Sequence, residues 1–462
     1  MNTPCLMIAG THSSVGKTLL TMGLTVTFRE KGLTVQVFKV GPDYIDPSYH
    51  RAVSGRACFN LDSWMLDREA LQKVFLRGCA EADLCLVEGV MGLFDGFSAT
   101  SEEGSSAEIS KIFDIPILLV LDAAKLARSA AAMVKGFTTF DPQLKFAGIL
   151  LNRVSGEKHA SLLKSAIESM TDIPVLGFIP KDKELEIPER HLGLIPAQEF
   201  ASLEMLSSLK RSVMQYCDVE RMIQRANELT QASGAIDADN SSAFRQAPNT
   251  VRIAYAWDEA FHFYYQDNLD FLQELGAELV PFSPTHEAQL PDVIHGLYFG
   301  GGFPEVFAKA LSGNDSMKKA IRTYSGKGIP IYAECGGLMY LSEGITDLEG
   351  KFYSMLGLIP GKIEMTSRLQ NFGYQSARLI RDSWIGKANG TFRAHEFHYS
   401  TWSAPLDSSA HQVKPKRGGD ERFEGYLDWH ILASYLHLHF LAVPERAVRF
   451  IEAARRFSGE TR

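Results

Sequence analysis

The sequence predicts an α/β protein with two domains, each built around a mostly parallel sheet. At 462 residues the chain is too long for one ordinary hydrophobic core, so two or three domains are expected. Short apolar runs rich in Val, Ile and Leu alternate with amphipathic segments, a pattern typical of buried parallel strands joined by helices. The pattern gives way to a small polar tract near residues 230–249 and then starts again.

The composition narrows the class of protein. Hydrophobic residues make up 45% of the chain and charged residues 22%, which indicates a soluble globular protein. The net charge of −8 argues against a general nucleic-acid or anionic-membrane surface, and no apolar run approaches the roughly 20 residues of a membrane helix. The six cysteines form no C-x-x-C pair, and the N-terminus leads straight into a predicted strand without a charged leader. We therefore expect a cytoplasmic location.

The first half of the chain contains a series of apolar segments that we predict as strands between helices. Ligands of parallel sheets bind beyond the carboxyl ends of the strands, so the residues just after each strand are the informative ones. After the opening strand, the predicted strands lie at residues 33–40, 82–88, 115–121, 146–151 and 174–179.

A candidate phosphate-binding loop joins the first predicted strand to the first predicted helix. Gly16, Lys17 and Thr18 stand at the helix start, where they offer free backbone N–H groups, a lysine for phosphate oxygens and a hydroxyl for Mg²⁺. Thr11 occupies the place of the usual first glycine, and Gly10 comes one residue earlier. A glycine-rich turn without nucleotide is the alternative. We predict that ATP or GTP is bound by Gly10, Thr11, Ser13, Val15, Gly16, Lys17 and Thr18.

Four acidic residues follow strands at the same predicted sheet edge as the phosphate loop. Asp43 and Asp46 lie in a Gly/Pro turn after residues 33–40, while Glu88 and Asp95 lie at and after the end of the next strand. An acid beside a phosphate loop is placed to hold Mg²⁺, with Glu88 the first candidate and Asp43 the second. Asp46 and Asp95 could hold a second ion or orient a substrate carboxyl group. Any single acid could instead cap a turn.

Other polar residues also follow strands. Asn152 comes directly after residues 146–151, and its amide matches the adenine edge, although it could equally cap a helix. Four basic residues surround the turn after the second strand, where they could pair with substrate carboxylates or lie on solvated surface. They are Lys39, His50, Arg51 and Arg56.

A fresh α/β pattern begins near residue 251, and its most specific feature is at residues 330–340. There a predicted strand stops at Cys335, and two glycines and a predicted helix follow. This arrangement is typical of a nucleophile elbow, in which the following backbone N–H groups can hold an oxyanion. The helix N-terminus is also expected to favour the thiolate. A buried structural cysteine is the alternative.

A nucleophilic cysteine needs a base, and two histidines near the C-terminus are candidates. His437 and His439 share one face of a predicted strand or strand exit, so either could act as base while the other orients it. Zinc binding by the pair lacks a suitably spaced set of further ligands. Residues 395–398, His-Glu-Phe-His, are one residue short of the metalloprotease pattern, and we interpret them as a strand lining the site.

Seven motifs, in order across nearly the whole chain, resemble those of the glutamine-dependent cobyrinic acid a,c-diamide synthases of corrinoid biosynthesis. The combination is far more specific than the phosphate loop alone, whose style is shared with dethiobiotin synthetase and partition ATPases. The motifs lie at residues 10–18, 39–47, 60–65, 87–96, 300–305, 333–338 and 435–440.

The resemblance implies a dethiobiotin synthetase-like, parallel-sheet P-loop domain followed by a class I glutamine amidotransferase-like α/β domain. We assign the ATP-binding, amide-forming domain to residues 1–229, a linker to 230–249 and the glutaminase domain to 250–462. These boundaries follow the change in composition near the polar tract.

Carried over by motif, Cys335 resembles the glutaminase nucleophile and His437 its base. Many related glutaminases have a glutamate two residues after that histidine, whereas this chain has His439, so the third member of the triad is open. The oxyanion hole suggested by the resemblance consists of Gly301, Gly302 and Gly336.

The implied activity is ATP- and glutamine-dependent amidation of the a- and c-acetate carboxylates of cobyrinic acid, through an acyl phosphate and with Mg²⁺. Hydrogenobyrinic acid and nickel-sirohydrochlorin are alternative substrates that local motifs do not separate. A dethiobiotin-synthetase-like ligase or a partition-type ATPase switch is less favoured, because neither gives Cys335 and His437 a role. The expected partners are ATP, L-glutamine and a tetrapyrrole polycarboxylate, with a homodimer as one option and with neither nucleic acid nor membrane.

Overall fold

The computed structural model describes residues 3–182, 203–231, 251–403, 405–416 and 418–460. The chain divides into two compact units, Met1–Ser242 and Ala243–Arg462. The linker predicted at residues 230–249 lies outside the described residues except for its first two positions, which end a helix. The domain boundaries predicted at residues 229 and 250 therefore stay predictions.

In the described residues of the first unit, seven parallel strands form one sheet. They are β1 (Cys5–Gly10), β2 (Val35–Val40), β3 (Phe59–Leu61), β4 (Leu84–Glu88), β5 (Ile117–Asp122), β6 (Phe146–Val154) and β7 (Val175–Pro180). Their order is β3-β2-β4-β1-β5-β6-β7, which makes β1 central. The predicted strands are confirmed to within three residues at each end, and only the short β3 was not predicted.

Helices connect these strands and supply the apolar cover of the sheet. Helix α1 begins directly after the phosphate loop, and it buries Leu20, Leu24 and Phe28. Each such side chain contributes roughly 1.5–3 kcal/mol when fully buried. A Cβ at Gly23 would lie 2.8 Å from Leu209, so the helix holding Leu209 can approach α1 closely because residue 23 is glycine. The helices are α1 (Lys17–Glu30), α2 (Ile45–Ser54), α3 (Arg68–Cys79), α4 (Ser106–Phe113), α5 (Ser129–Phe140), α6 (Glu157–Glu168), α7 (Leu203–Tyr216) and α8 (Val219–Gln231).

The register of this sheet brings the carboxyl ends of its strands to one edge. Lys39 on β2 and Ile8 on β1 both lie opposite Glu88 on β4. Asp122 on β5 lies opposite Asn152 on β6. The predicted common edge, with polar residues after several strands, is therefore confirmed.

The second unit contains a six-stranded sheet and two smaller sheets. The six-stranded sheet has the order β20-β21-β11-β10-β8-β9, and its pairings are parallel except for β20 with β21. Its strands are β8 (Val251–Ala256), β9 (Ala277–Phe282), β10 (Gly296–Phe299), β11 (Ile331–Glu334), β20 (Tyr426–Leu427) and β21 (Ile431–Ser434). Its helices are α9 (Gln266–Glu274), α10 (Ala308–Gly313), α11 (Asp315–Gly326), α12 (Gly336–Leu341) and α13 (Pro444–Glu460).

The two smaller sheets come from the segment between α12 and β20, and the sequence did not predict them. Their orders are β13-β12-β14-β17 and β16-β15-β18-β19. The predicted strand at residues 395–398 is confirmed as part of β16, whose His395 forms a bridge with His437. Their strands are β12 (Gly344–Thr346), β13 (Phe352–Ser354), β14 (Lys362–Met365), β15 (Asn371–Leu379), β16 (Thr391–His398), β17 (Ser400–Trp402), β18 (His411–Pro415) and β19 (Arg422–Glu424).

Two further observations concern membranes and cysteines. Within the described ranges, no helix is both long enough and apolar enough to cross a membrane. All six cysteines lie in those ranges and are free thiols. The sulfur atoms of Cys5, Cys79 and Cys85 lie within 4.8 Å of one another.

Candidate active sites

The phosphate loop is tightly closed between β1 and α1. Gly16, at the start of α1, has a φ of +97°, a conformation that glycine adopts without steric cost. A Cβ at Gly16 would lie 2.2 Å from the side-chain nitrogen of Asn152, and one at Gly10 would lie 2.5 Å from Val15. The structure therefore brings these three loop residues together with Asn152.

Asn152 holds the phosphate loop from β6. It is buried, its Nδ2 donates to the Val15 carbonyl at 2.7 Å, and its Oδ1 accepts from the Arg153 N–H at 2.9 Å. The residue before α6 is Gly156, so the alternative in which Asn152 caps that helix is wrong. In this structure the side-chain amide of Asn152 binds the loop and its own strand rather than facing a ligand. Recognition of the adenine base by Asn152 stays a prediction.

Lys17 is almost buried beside the phosphate loop. Its Nζ donates to the Met91 carbonyl at 2.5 Å and to the His12 carbonyl at 3.5 Å. Burial, followed by the charge of Lys39, lowers the pKa of Lys17 to about 8. An ammonium group that is poorly solvated gains from an added anion, and a phosphate group would provide one.

Glu88 is the centre of a buried polar cluster at the end of β4. The Glu88 cluster consists of Thr18, Lys39, Asp46, His50 and Glu88. Thr18 Oγ1 and Lys39 Nζ each lie 2.8 Å from Glu88 Oε1, and His50 Nε2 contacts the other oxygen. Lys39 also pairs with Asp46 Oδ2 at 2.8 Å. Burial works to lower the pKa of Lys39, but Asp46 and Glu88 outweigh burial and raise it.

This cluster changes the interpretation of the basic residues near the turn. Lys39 and His50 are neither solvated nor directed to a substrate, because both are buried against Glu88. Arg56 binds Gln36 Oε1 and the Ala80 carbonyl, each at 2.9 Å. The adjacent hydroxyl of Thr18 and carboxylate of Glu88 are hard oxygen donors, and such donors fit Mg²⁺.

Asp43 and Asp95 each make a local bond that shapes a turn. Asp43 Oδ1 accepts from the Ile45 N–H at 2.8 Å, and Asp95 Oδ2 accepts from the Gly92 N–H at 2.9 Å. Burial, followed by the charge of Asp46, raises the pKa of Asp43 to about 7. Turn formation was the alternative for single acids, and it accounts for these two. A role for either in binding metal or substrate stays a prediction.

Cys335 occupies a strained turn between β11 and α12. Its φ of +47° and ψ of −102° are unusual for a residue with a side chain, as expected for a nucleophile elbow. Its N–H donates to the Ser434 carbonyl at 2.7 Å, and its Sγ lies 3.8 Å from the Phe397 carbonyl. Burial, followed by the charge of Glu305, raises the pKa of the thiol, while the Gly336 N–H opposes the shift. The Gly336 N–H at the start of α12 favours the thiolate, as expected, but burial outweighs this contribution.

Two of the three predicted oxyanion-hole glycines lie side by side. A Cβ at Gly336 would lie 3.0 Å from the Gly302 nitrogen, and a Cβ at Gly302 would lie 2.1 Å from the Ala260 carbonyl. Gly301 differs, because its N–H donates to the Phe263 carbonyl at 3.2 Å. We therefore retain Gly302 and Gly336 as the candidate donors.

Gly301 instead makes room for the candidate base. A Cβ at Gly301 would lie 2.7 Å from Cε1 of His437. His437 is held through its backbone, whose N–H donates to the His395 carbonyl at 2.8 Å and whose carbonyl accepts from the His395 N–H at 3.1 Å. The strand at residues 395–398 thus lines the site, as predicted.

Glu334 faces His437, and the sequence analysis missed it. Its Oε2 lies 3.7 Å from His437 Nδ1, and its Oε1 accepts from the Tyr332 hydroxyl at 2.8 Å and the Leu438 N–H at 3.3 Å. The carboxylate is only 1% exposed. Glu334 could have been found from the sequence, because it is a carboxylate at the end of a predicted strand and directly precedes the candidate nucleophile.

His439 lies in a different environment from His437. Its ring stacks on Tyr265 with centroids 5.1 Å apart, and its Nε2 lies 3.7 Å from Asp267 Oδ2. The hypothesis that the two imidazoles orient each other is therefore not supported, because Glu334 takes the position facing His437.

Comparison with known proteins agrees with this division of the chain. Residues 6–195 match the CobQ/CobB/MinD/ParA nucleotide binding domain, and residues 252–444 match the CobB/CobQ-like glutamine amidotransferase domain. A cobyrinate a,c-diamide synthase of Listeria innocua is 43% identical over 459 residues, which cover 98% of this chain and 99% of that protein. The chain belongs to the cobyrinate a,c-diamide synthase family.

Other members of the family align over similar lengths. The synthase of Caldanaerobacter subterraneus is 43% identical over 453 residues, which cover 98% of each chain. The synthase of Dehalococcoides mccartyi strain CBDB1 is 41% identical over 463 residues, which cover 99% of each chain. Membership confirms the predicted fold class, and this member of the family is an amide-forming ligase with a glutamine amidotransferase domain. The alternatives without such a domain, a partition switch and a dethiobiotin-synthetase-like ligase, do not fit.

Proposed function

We propose that this chain amidates the a- and c-acetate carboxylates of cobyrinic acid, with nitrogen from glutamine and energy from ATP. The observation that carries the proposal is the presence in one chain of a nucleophile elbow at Cys335 and a phosphate loop with Lys17. The substrate is the one for which the related synthases of Listeria innocua and Caldanaerobacter subterraneus are named. Hydrogenobyrinic acid and nickel-sirohydrochlorin are the alternative substrates for the same chemistry.

The glutaminase half of the reaction begins at Cys335. His437 takes the thiol proton as the sulfur attacks the amide carbon of glutamine, and the N–H groups of Gly302 and Gly336 stabilise the oxyanion. The carbon–nitrogen bond then breaks, and His437 returns the proton to the departing ammonia. Water hydrolyses the remaining thioester to glutamate. Since burial raises the pKa of the thiol, proton transfer to His437 is what makes the sulfur nucleophilic.

Glu334 is the third member of this site in our proposal. A carboxylate that faces Nδ1 of His437 favours the tautomer whose Nε2 is free to accept the thiol proton. The Tyr332 hydroxyl fixes the opposite oxygen of Glu334, which limits rotation of the carboxylate. Glu334 therefore acts as a positioning residue rather than as a proton carrier.

The synthetase half of the reaction takes place at the phosphate loop. A substrate carboxylate oxygen attacks the γ-phosphorus of ATP, ADP leaves, and an acyl phosphate forms. Ammonia then attacks the carbonyl carbon, and phosphate leaves to give the amide. Lys17 stabilises charge on the phosphate oxygens. Two rounds produce the diamide.

The remaining predicted residues have supporting roles in this proposal. Thr18 and Glu88 would hold Mg²⁺, with Asp43 as a second candidate ligand, and the ion supplies positive charge beside the phosphates. Lys39 and His50 fix the Glu88 carboxylate. Asp46 and Asp95 are the candidates for orienting the substrate carboxyl group. Asn152 is the candidate for contacting the adenine base of ATP.

The test of the proposal is the variant Cys335→Ala. Glutamine-dependent amidation should fall by at least about a thousandfold, because no thioester can form. Amidation with ammonium salts should remain within about threefold of the parent protein, since the phosphate loop is unchanged. Product amides are counted by mass spectrometry after incubation with ATP, Mg²⁺ and each of the three tetrapyrrole acids.

Cys217→Ala is the matched control, because it removes a cysteine of the first unit that has no role in the reaction. Persistent glutamine hydrolysis in Cys335→Ala would refute the nucleophile. Absence of amide formation with every tetrapyrrole acid in the parent protein would refute the proposed function. A homodimer stays a prediction, which analytical ultracentrifugation would test.

A further inference from the structure

A cavity of about 270 Å³, lined in part by charged side chains, lies in the second unit. Glu396 and His398 project into it from the same face of β16, as residues two apart on a strand do. Its wall also includes Arg422 of β19, Asn371 at the start of β15 and Tyr435 after β21. The volume is close to the lower end of the range for small-molecule sites, about 300 Å³.

This cavity adjoins the candidate nucleophile. Phe397, the residue between two of the cavity residues on β16, has its carbonyl oxygen 3.8 Å from Cys335 Sγ. Tyr435 follows Ser434, whose carbonyl accepts the Cys335 N–H. The charge of Glu396 also contributes to the raised pKa of Cys335. The groups that contact Cys335 are therefore next in sequence to residues of the cavity wall, at a Cα spacing of about 3.8 Å.

The cavity wall carries a charge pair with unused donors. Glu396 is fully buried, its Oε2 accepts from Arg422 Nη2, and its Oε1 lies 2.9 Å from His398 Nε2. The Arg422 side chain is 27% exposed, and its buried Nε has no hydrogen-bond partner in the part of the chain that the structure describes. A guanidinium has five N–H donors, so Arg422 retains capacity to bind an anion.

The second acid in the wall is already satisfied. The Glu424 carboxylate accepts from the Ser434 hydroxyl at 2.9 Å and from the Tyr435 N–H at 2.5 Å, and it lies 3.2 Å from His411 Nδ1. Glu396 has two partners, Arg422 and His398, whereas Glu424 has three, so Glu396 keeps more of its acceptor capacity for a cationic ligand group.

We propose that the cavity binds the charged end of glutamine, with Arg422 taking the α-carboxylate and Glu396 the α-ammonium group. An α-amino acid carries both charges on one carbon, which matches a wall where a guanidinium and a carboxylate touch. The cavity then selects L-glutamine among amides while Cys335 attacks its side chain. This inference rests on the proposed glutaminase function of Cys335.

Two truncated substrates test the two contacts separately. 4-Aminobutanamide lacks the carboxylate of glutamine, and glutaramate lacks the ammonium group. In Arg422→Gln the preference for L-glutamine over 4-aminobutanamide, measured as a ratio of kcat/KM, should fall at least tenfold. In Glu396→Gln the preference over glutaramate should fall at least tenfold. These ratios do not depend on the fraction of folded enzyme.

Controls separate a failure of this inference from a failure of the proposed function. Arg393→Gln, on the exposed side of β16, should leave both ratios within twofold of the parent. Arg422→Lys, which retains the charge, provides a second variant and should give an intermediate ratio. Ammonia-dependent amidation should stay unchanged in every variant. A parent enzyme that hydrolyses glutamine, combined with an unchanged ratio in either Arg422→Gln or Glu396→Gln, would overturn the inference and leave the proposed function standing.

Discussion

At the scale of single residues, Glu334 and Cys335 are neighbours in sequence to which we assign different roles in the proposed glutaminase reaction. The strained turn at Cys335 places the thiol sulfur near the Phe397 carbonyl. Glu334, the last residue of β11, faces His437. The candidate nucleophile and the residue proposed to orient its base are therefore consecutive in sequence.

Replacement of Glu334 by Gln tests this division. We expect kcat for glutamine hydrolysis to fall by about a hundredfold, because an amide holds the imidazole tautomer less well than a carboxylate. KM for glutamine and ammonia-dependent amidation should change little. Steady-state kinetics with glutamine and with ammonium salts measure both effects.

The comparison variants are Glu334→Asp and Glu349→Gln. The first restores the charge and should recover part of the lost rate, whereas the second removes an exposed carboxylate and should have no effect. A purely structural role for Glu334 would lower the glutamine-dependent and the ammonia-dependent activities together, and Glu334→Asp would not recover the lost rate.

At the scale of elements, both sites use the same device, a parallel strand that ends in a tight turn before a helix. The turns need residues with positive φ, namely Gly16 at the phosphate loop and Cys335 at the elbow. The loop after β1 is supported from β6, which is distant in sequence, through the bond from Asn152 to the Val15 carbonyl. Its shape therefore depends on sheet order as well as on its own glycines.

Asn152→Ala tests that support. A net hydrogen bond contributes about 1 kcal/mol, so KM for ATP should rise roughly fivefold to tenfold as the loop loosens. Asn227→Ala, which removes a local bond to the Ile223 carbonyl on α8, serves as the control. The measurement is ammonia-dependent amidation against ATP concentration, and an unchanged KM would contradict the assigned role.

At the scale of the whole molecule, each compact unit has its own sheet and its own buried core. The core of the first unit includes Leu20 and Leu118, and that of the second includes Phe299 and Leu338. Since these cores are separate, a polar change at one site should leave the other unit folded. The two half-reactions can then be removed independently.

Lys17→Ala should remove the phosphate-transfer half-reaction, just as Cys335→Ala should remove the glutaminase half-reaction. Amidation should be lost with both glutamine and ammonium salts, by at least about a hundredfold, because the charge on the phosphates is no longer stabilised. Alkylation of Cys335 by 6-diazo-5-oxo-L-norleucine, followed by mass spectrometry, should proceed as in the parent protein. Loss of that alkylation would indicate that the two units are not independent.

The sequence by itself determined the features that lie within a few consecutive residues. The strand, turn and helix at residues 10–18 and 330–340 were predicted because the glycines, the lysine and the cysteine occupy neighbouring positions, and local backbone geometry follows from them. Six of the seven described strands of the first sheet were predicted for a similar reason, since their apolar runs are continuous. The two smaller sheets were missed because most of their strands are short, with β12, β13, β17 and β19 only three residues each.

Only the tertiary structure decided which side chains meet across the fold. Lys39 and His50 contact Glu88, and Glu334 rather than His439 faces His437. These partners depend on strand order, on register and on how each side chain is buried, and none of these follows from composition or spacing. A buried charge must find a partner wherever packing provides one, so pairings between distant residues are settled only when the chain has folded.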